Sequence, residues 1–205
     1  MHLNILKPRD AVEEAFKRPE TVKAIAIVFF SALANAFTAV ILGLNINLSQ
    51  LIVNTEIRTF AAFLFYYAII AMAGIALKKK WGNLSSLVSS LSLINIVDFV
   101  AKIVLSIGVL LTVPKQAIQT ITTAILQGNL IDAATGESLL SQFNIVGLII
   151  VLAISFIFVL IQYYLLYLTI KKHLSLQTTT AIVVFFLIVF LASYVFLPAS
   201  RVLLG

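Results

Sequence analysis

Five long apolar runs dominate this chain and limit it to a membrane-embedded fold. Each is close to the roughly 20 residues that one helical bilayer crossing needs, and they cover 22–44, 57–77, 94–113, 145–168 and 179–197. Of the 205 residues, 61% are hydrophobic and only 11% are charged, whereas soluble domains carry about 25% charged residues. The sequence therefore predicts an all-α, polytopic membrane helical bundle with five transmembrane helices, in a single domain over 1–205.

The residues ahead of the first run, 1–20, predict a short N-terminal amphipathic helix. Asp10 followed by Glu13 is typical of a helix start with a capping box, and Phe16 belongs to an apolar stripe with helical spacing. Pro19 ends the pattern. A helix of this kind lies at the membrane surface with its apolar side inward. The alternative is a solvated leader helix on the cytoplasmic side.

Three stretches between the runs predict connections. The segment 84–93 has a stripe of leucines opposite a stripe of serines, which is typical of a helix that lies flat on the membrane or re-enters it. The stretch 45–56 predicts a short link. The stretch 114–144 predicts a longer link with a surface helix, because its apolar residues recur at helical spacing.

Lysine and arginine fall mostly on one side when the five spans alternate. They occur in the leader, in Lys78–Lys80 after the second span, and in Lys171 and Lys172 after the fourth. The positive-inside rule then predicts a cytoplasmic N-terminus and a C-terminus that is outside or lumenal, in the cell membrane if the protein is prokaryotic. Membrane topology and attraction to anionic lipid explain the net charge of +6. We therefore expect no nucleic-acid partner.

Polar side chains share one face of the third span. Asn95, Asp98, Lys102 and Ser106 follow helical spacing, and Asp98 precedes Lys102 by the four residues that favour an ion pair. Each charge alone would cost about 2.5–3.5 kcal/mol in mid-membrane, so we expect the two to pair. One interpretation is a proton or ion relay or a polar headgroup site. The other is a neutralised pair that fixes helix register.

Two more polar residues extend this face into a predicted intramembrane seam. Asn35 lies in the first span and Gln162 in the fourth. Their alternative role is hydrogen bonding between helices, worth about 0.6 kcal/mol. With no cysteine and two histidines, the sequence predicts no catalytic residue, no metal site and no cofactor.

A second candidate contact lies at the end of the fourth span. Lys171, Lys172 and His173 predict a cationic turn on the cytoplasmic side, and Phe16 of the leader helix is its aromatic counterpart. His173 is interpreted either as a titrating switch or as a cation at a helix C-terminus.

Three segments resemble the Yip domain family, multi-span proteins first described as interactors of Ypt/Rab small GTPases. They are the leader ILKPRDAVEEAFKRPE, the stretch KKKWGNLSSLVSSLSLI after the second span, and YLLYLTIKKHLSLQTTTAI with His173, Leu174 and Ser175 at its turn. The chain looks like a compact prokaryotic member. The resemblance implies a noncatalytic role in membrane organisation or trafficking, with lipid, another membrane protein, a second copy of the chain or a small GTPase as partner.

The polar seam supports a different function. A small permease, channel or lipid-moving protein would use the side chains around Asp98 and Lys102 as its path. The two hypotheses differ in what Asp98 faces, which is a water-accessible cavity in the second case and a sealed contact in the first.

Overall fold

A computed structural model describes residues 7–42, 47–77, 79, 83–126 and 133–196, and this part of the chain is all-helical. The helices are α1 (Pro8–Lys17), α2 (Thr21–Ile41), α3 (Leu48–Ala76), α4 (Leu84–Thr112), α5 (Lys115–Leu126), α6 (Ala133–Ser141), α7 (Ile145–His173) and α8 (Thr178–Leu191), which a π-helical turn (Ala192–Phe196) continues. Outside the described residues lie 1–6, Lys78, Lys80, and the predicted span ends at Leu44 and Leu197.

Within the described ranges, four helices are long and apolar enough to cross a membrane, namely α2, α3, α4 and α7. The last three have 29 residues each, or about 43 Å, which exceeds the roughly 30 Å of a hydrocarbon core. The apolar helix over Thr178–Tyr194 is shorter. The structure thus fits a multi-pass helical bundle, and a fifth crossing over 179–197 stays a prediction.

Each of the three longest helices begins at an asparagine. The side-chain oxygens of Asn47, Asn83 and Asn144 accept hydrogen bonds from backbone N–H groups three residues later, at 3.2, 2.8 and 3.0 Å. Such caps satisfy a donor that the first helical turn leaves unpaired. The cap at Asn47 starts α3 at Leu48. The prediction of a link over 45–56 is therefore wrong for 48–56, which are helical.

The serine-rich segment 84–93 is the first third of α4 and not a separate surface or re-entrant helix. Ser86, Ser89, Ser90 and Ser92 are buried. Three of them hydrogen-bond carbonyls near or within their own helix, as Ser90 Oγ does to the carbonyl of Ser86 at 2.8 Å. Leu87 and Leu91 are buried as well. Both stripes therefore face neighbouring helices, whereas the sequence pattern predicted that only one would be covered.

Helix α4 lies at the centre of the bundle, between α2 on one side and α7 on the other. Helix α3 packs mainly on α2, and α8 packs on α7. The largest apolar core joins α3, α4, α7 and α8 and includes Ile70, Leu91, Ile170 and Ile188, all of them fully buried. This arrangement leaves a space between α3 and α7 that matters for the site described below.

Helix α1 lies across α4 and α7 near one end of the bundle. Its small residues Ala11 and Ala15 are buried with Val12 against Leu93 and Leu165. The expectation was an apolar side turned to the membrane, but the bundle covers this side because alanines allow the backbone of α1 to approach closely. Placement of α1 at the membrane surface stays a prediction.

Candidate functional site

Asp98 and Lys102 form the ion pair that their spacing predicts. Lys102 Nζ lies 2.5 Å from Asp98 Oδ2, and the two side chains are 27% and 34% exposed respectively. Ser31 of α2 donates a further hydrogen bond to the same carboxylate oxygen at 3.2 Å. The carboxylate of Asp98 is thus held by a partner on its own helix and by a partner on the adjacent helix.

Ser106, one helical turn after Lys102 on α4, also contacts α2. Its buried hydroxyl lies 2.9 Å from Thr38 Oγ1 on α2 and 2.5 Å from the carbonyl of Lys102. Asp98, Lys102 and Ser106 therefore share the α2–α4 interface. Their contacts match the interpretation in which the pair fixes how two helices pack.

The other three members of the predicted seam lie elsewhere. Asn35, Asn95 and Gln162 line a cavity of about 560 Å³ between α2, α3, α4 and α7. The polar lining also includes Arg58, Tyr66 and Tyr163. The remaining lining is apolar: Ala62, Phe63, Leu91, Ile94, Val159 and Leu166. The structure thus divides the seam into a tight interface and an open cavity.

Arg58 is the cavity residue that the sequence reasoning missed. The predicted span begins at 57, which places Arg58 at a membrane edge, but α3 begins at Leu48 and so carries Arg58 about 15 Å along its axis. The ion pairs and hydrogen bonds among the described residues do not include Arg58. Glu56 is two residues away and therefore faces another side of α3.

The second candidate contact joins α1 to the end of α7. The rings of Phe16 and His173 meet edge to face with centroids 5.0 Å apart. Lys172 Nζ lies 5.5 Å from the centroid of Phe16 and 3.5 Å from Glu13 Oε1. His173 is the last residue of α7 and only 2% exposed. The sequence predicts a turn at His173, whereas the structure places it in the last turn of α7, in contact with Phe16.

A recess of about 590 Å³ lies beside this contact, between α1 and the last turns of α7. Three cations, Arg9, Lys171 and Lys172, line it together with one carboxylate, Glu13, and the rings of Phe16, Tyr164 and Tyr167. Lys171 Nζ lies 5.9 Å from the centroid of Tyr167 and donates a hydrogen bond to Thr178 at 2.9 Å. Cations next to aromatic rings form a surface suited to acidic or phosphorylated groups.

Comparison with known proteins gives no further assignment for either site. No protein-family model matches the chain, and neither a curated protein nor a solved structure matches it. Among the described residues, no group of three or more histidine and acidic side chains could hold a metal ion. The functional conclusion therefore rests on the geometry of the cavity and of the recess.

Proposed function

We propose that the chain is a noncatalytic integral membrane protein that acts through lipid and protein contacts at the end of the bundle where α1 is docked. The resemblance to the Yip family implies such a role in membrane organisation or trafficking. The observation that carries the proposal is the recess between α1 and α7. Its three cations outnumber its one carboxylate, Glu13, and together with three aromatic rings they suit contact with anionic headgroups or with an acidic segment of a partner.

The location of the recess supports a cytoplasmic contact. Lys171 and Lys172 come from α7, and Arg9 comes from α1, so two separate basic segments meet at one end of the bundle. The positive-inside rule assigns such an end to the cytoplasm. Phe16 fixes α1 there by its contact with His173.

Affinity isolation from native membranes tests this proposal. The variant Arg9→Gln/Lys171→Gln removes two cations of the recess and keeps Lys172, which contacts α1. The control Lys79→Gln/Lys115→Gln removes two exposed cations outside it. We expect a membrane or cytoplasmic partner to co-isolate equally with wild type and control, and about tenfold less with the recess variant. Equal recovery from all three chains would contradict the proposal.

A second function, movement of ions or lipids by a permease, channel or lipid-moving protein, has one observation in its favour. Asn35, Asn95 and Gln162 of the seam line a cavity and not a sealed contact. This function predicts that Asp98→Asn or Lys102→Met changes ion, proton or lipid flux in liposomes. Identical flux through wild type, variants and empty vesicles would remove it.

A further inference from the structure

The cavity between α3 and α7 contains a cation that no described residue of its lining neutralises. Arg58 lines it, and the described residues of the lining include no aspartate or glutamate. Asn95 lines it too, and its side-chain nitrogen is buried without a hydrogen-bond acceptor in the part of the chain that is described. The guanidinium of Arg58 thus lines this space as a donor that lacks an acceptor, and the buried amide nitrogen of Asn95 in the cavity wall is also unsatisfied.

The depth of these groups makes water a poor substitute for an anion. Depth is measured along the helices from the ends that lie near α1. Three lining residues are ten or eleven residues from these ends, or about 15 Å: Tyr66, Asn95 and Gln162. Arg58 is eighteen residues from the same end of α3, or about 27 Å. The helices are about 43 Å long and the hydrocarbon layer is about 30 Å thick. Residues at depths of about 15 Å and about 27 Å therefore lie inside this layer at any position it can take along the helices. Charged side chains at such depth are paired or line a functional cavity.

We propose that this cavity binds one anionic phosphate group, with Arg58 as its principal ligand. The planar guanidinium fork matches two oxygens of a phosphate. The hydroxyl groups of Tyr66 and Tyr163 and the amide of Gln162 border the same space and supply further donors. A carboxylate on the protein would compete with such an anion, and the part of the lining that the structure describes has none.

The rest of the lining favours a phosphate that is carried by a lipid. Leu91, Ile94, Val159 and Leu166 give the cavity an apolar side, which suits the carbon part of an amphiphile. A volume of about 560 Å³ lies within the range of about 300–1,000 Å³ that small-molecule sites occupy. Among the described residues, this site shares none of its lining with the recess beside α1, and it does not depend on the proposed function.

Lipid retention by reconstituted protein tests the site. The full chain is incorporated into vesicles of equal phosphatidylglycerol and phosphatidylcholine, re-extracted in mild detergent, and examined for bound lipid by native mass spectrometry. Arg58→Gln removes the cation, whereas Ala62→Phe keeps the cation and fills the cavity, which covers the case in which one variant fails to fold. Lys115→Gln is the control, because Lys115 is exposed outside the cavity. Binding of inorganic phosphate is measured in parallel by calorimetry.

We expect wild type and Lys115→Gln to retain phosphatidylglycerol about tenfold over phosphatidylcholine, and both cavity variants to lose this preference. Binding of inorganic phosphate that needs Arg58, without a lipid preference, also supports the anion site and identifies a soluble source. The proposal is overturned if Arg58→Gln and Ala62→Phe retain lipid as wild type does and phosphate binding does not depend on Arg58.

Discussion

Lys172 lies over the ring of Phe16, with its ammonium 5.5 Å from the ring centroid. The same ammonium lies 3.5 Å from Glu13 Oε1. Glu13 precedes Phe16 on α1 by about one helical turn. One side chain of α7 thus contacts an aromatic ring and a carboxylate of α1. This contact holds α1 beside the recess on which the proposed function depends.

Truncation of Phe16 tests the aromatic part of this contact. Phe16→Ala removes the edge-to-face pair with His173 and uncovers a buried imidazole, so we expect it to lower the free energy of unfolding by about 1–2 kcal/mol. Unfolding by SDS titration measures the change. Phe37→Ala is the control, because Phe37 is 50% exposed on α2 and we expect a loss of at most about 0.5 kcal/mol. Equal losses would mean that Phe16 does not hold α1.

The charged part of the contact predicts a pH dependence. A hydrogen bond from Lys17 and then the charge of Lys172 lower the pKa of Glu13 below its ordinary value of 4.5. Lys17 lies on α1 itself, so only the part of this lowering that comes from Lys172 of α7 stabilises docking above pH 4.5. That contribution is lost as the pH falls through the pKa of the docked state. We therefore expect α1 to detach in part under acidic conditions, and Glu13→Gln to remove this dependence.

Spin labels give the measurement for this prediction, because the chain has no cysteine. Labels at Glu14→Cys and Thr179→Cys occupy exposed positions on α1 and α8. The distance distribution between them broadens below pH 4.5 in the wild-type background and not in the Glu13→Gln background. A distribution that responds to pH equally in both backgrounds would show that another group titrates.

The turn after α7 predicts a stabilising substitution. Ser175 has a φ of 48°, and the N–H groups of Ser175 and Leu176 donate to the carbonyls of Lys172 and Lys171 at 3.3 and 3.1 Å, a Schellman motif. Glycine adopts this left-handed conformation without steric strain, so Ser175→Gly adds about 0.5–1 kcal/mol to stability. Ser138→Gly within α6 has the opposite sign, about 0.5 kcal/mol destabilising. A lower Tm for Ser175→Gly would contradict the assignment.

The contact between α4 and α7 predicts a penalty at Gly147. A Cβ atom there would lie 2.5 Å from Thr112 Cγ2, and the hydroxyl of Thr112 donates to the carbonyl of Gly108 at 2.9 Å, which opposes rotation. Gly147→Ala therefore costs about 1–3 kcal/mol. Gly136→Ala meets no atom within 4 Å and gains up to about 1 kcal/mol. Thermal unfolding in detergent distinguishes them, and similar Tm values for both variants would argue against close packing.

The ion pair of α4 predicts non-additive effects. Asp98→Asn leaves the ammonium of Lys102 without its carboxylate, so we expect a loss of about 2–3 kcal/mol. Addition of Lys102→Met removes the uncompensated charge and restores most of that stability. Unfolding measured for both single variants and the double variant gives the coupling. Independent effects would show that the pair does not fix the α2–α4 interface.

The length of the apolar runs was enough to predict an all-helical bundle. An apolar run of about 20 residues can pair all its backbone N–H and C=O groups within lipid by forming a helix. Helix starts were harder to predict. The Asn47 cap lies inside a stretch with polar residues on both sides, and only the hydrogen bond to Gln50 identifies it. The missed start moved Arg58 from the membrane edge into the cavity.

The division of the polar seam could not be read from spacing. Asn95 and Asp98 share a face of α4 by periodicity, yet Asn95 lines the cavity and Asp98 contacts Ser31. Which neighbour each meets depends on how α2 and α7 pack around α4, which is set by tertiary contacts. The burial of the serine stripe of α4 could not be predicted from spacing either. Ser90 satisfies its hydroxyl by a hydrogen bond within its own helix, which lets it pack as a small core residue.

Site-specific cross-linking at the recess tests the proposed function most directly. A photo-reactive residue replaces Tyr164, which lines the recess, and in a second chain replaces Phe156, which is exposed on α7 away from it. In native membranes we expect adducts with a partner protein or anionic lipid at Tyr164, few at Phe156, and loss of the Tyr164 adducts in the Phe16→Ala background. Equal adducts at both positions, unchanged by Phe16→Ala, would contradict the account.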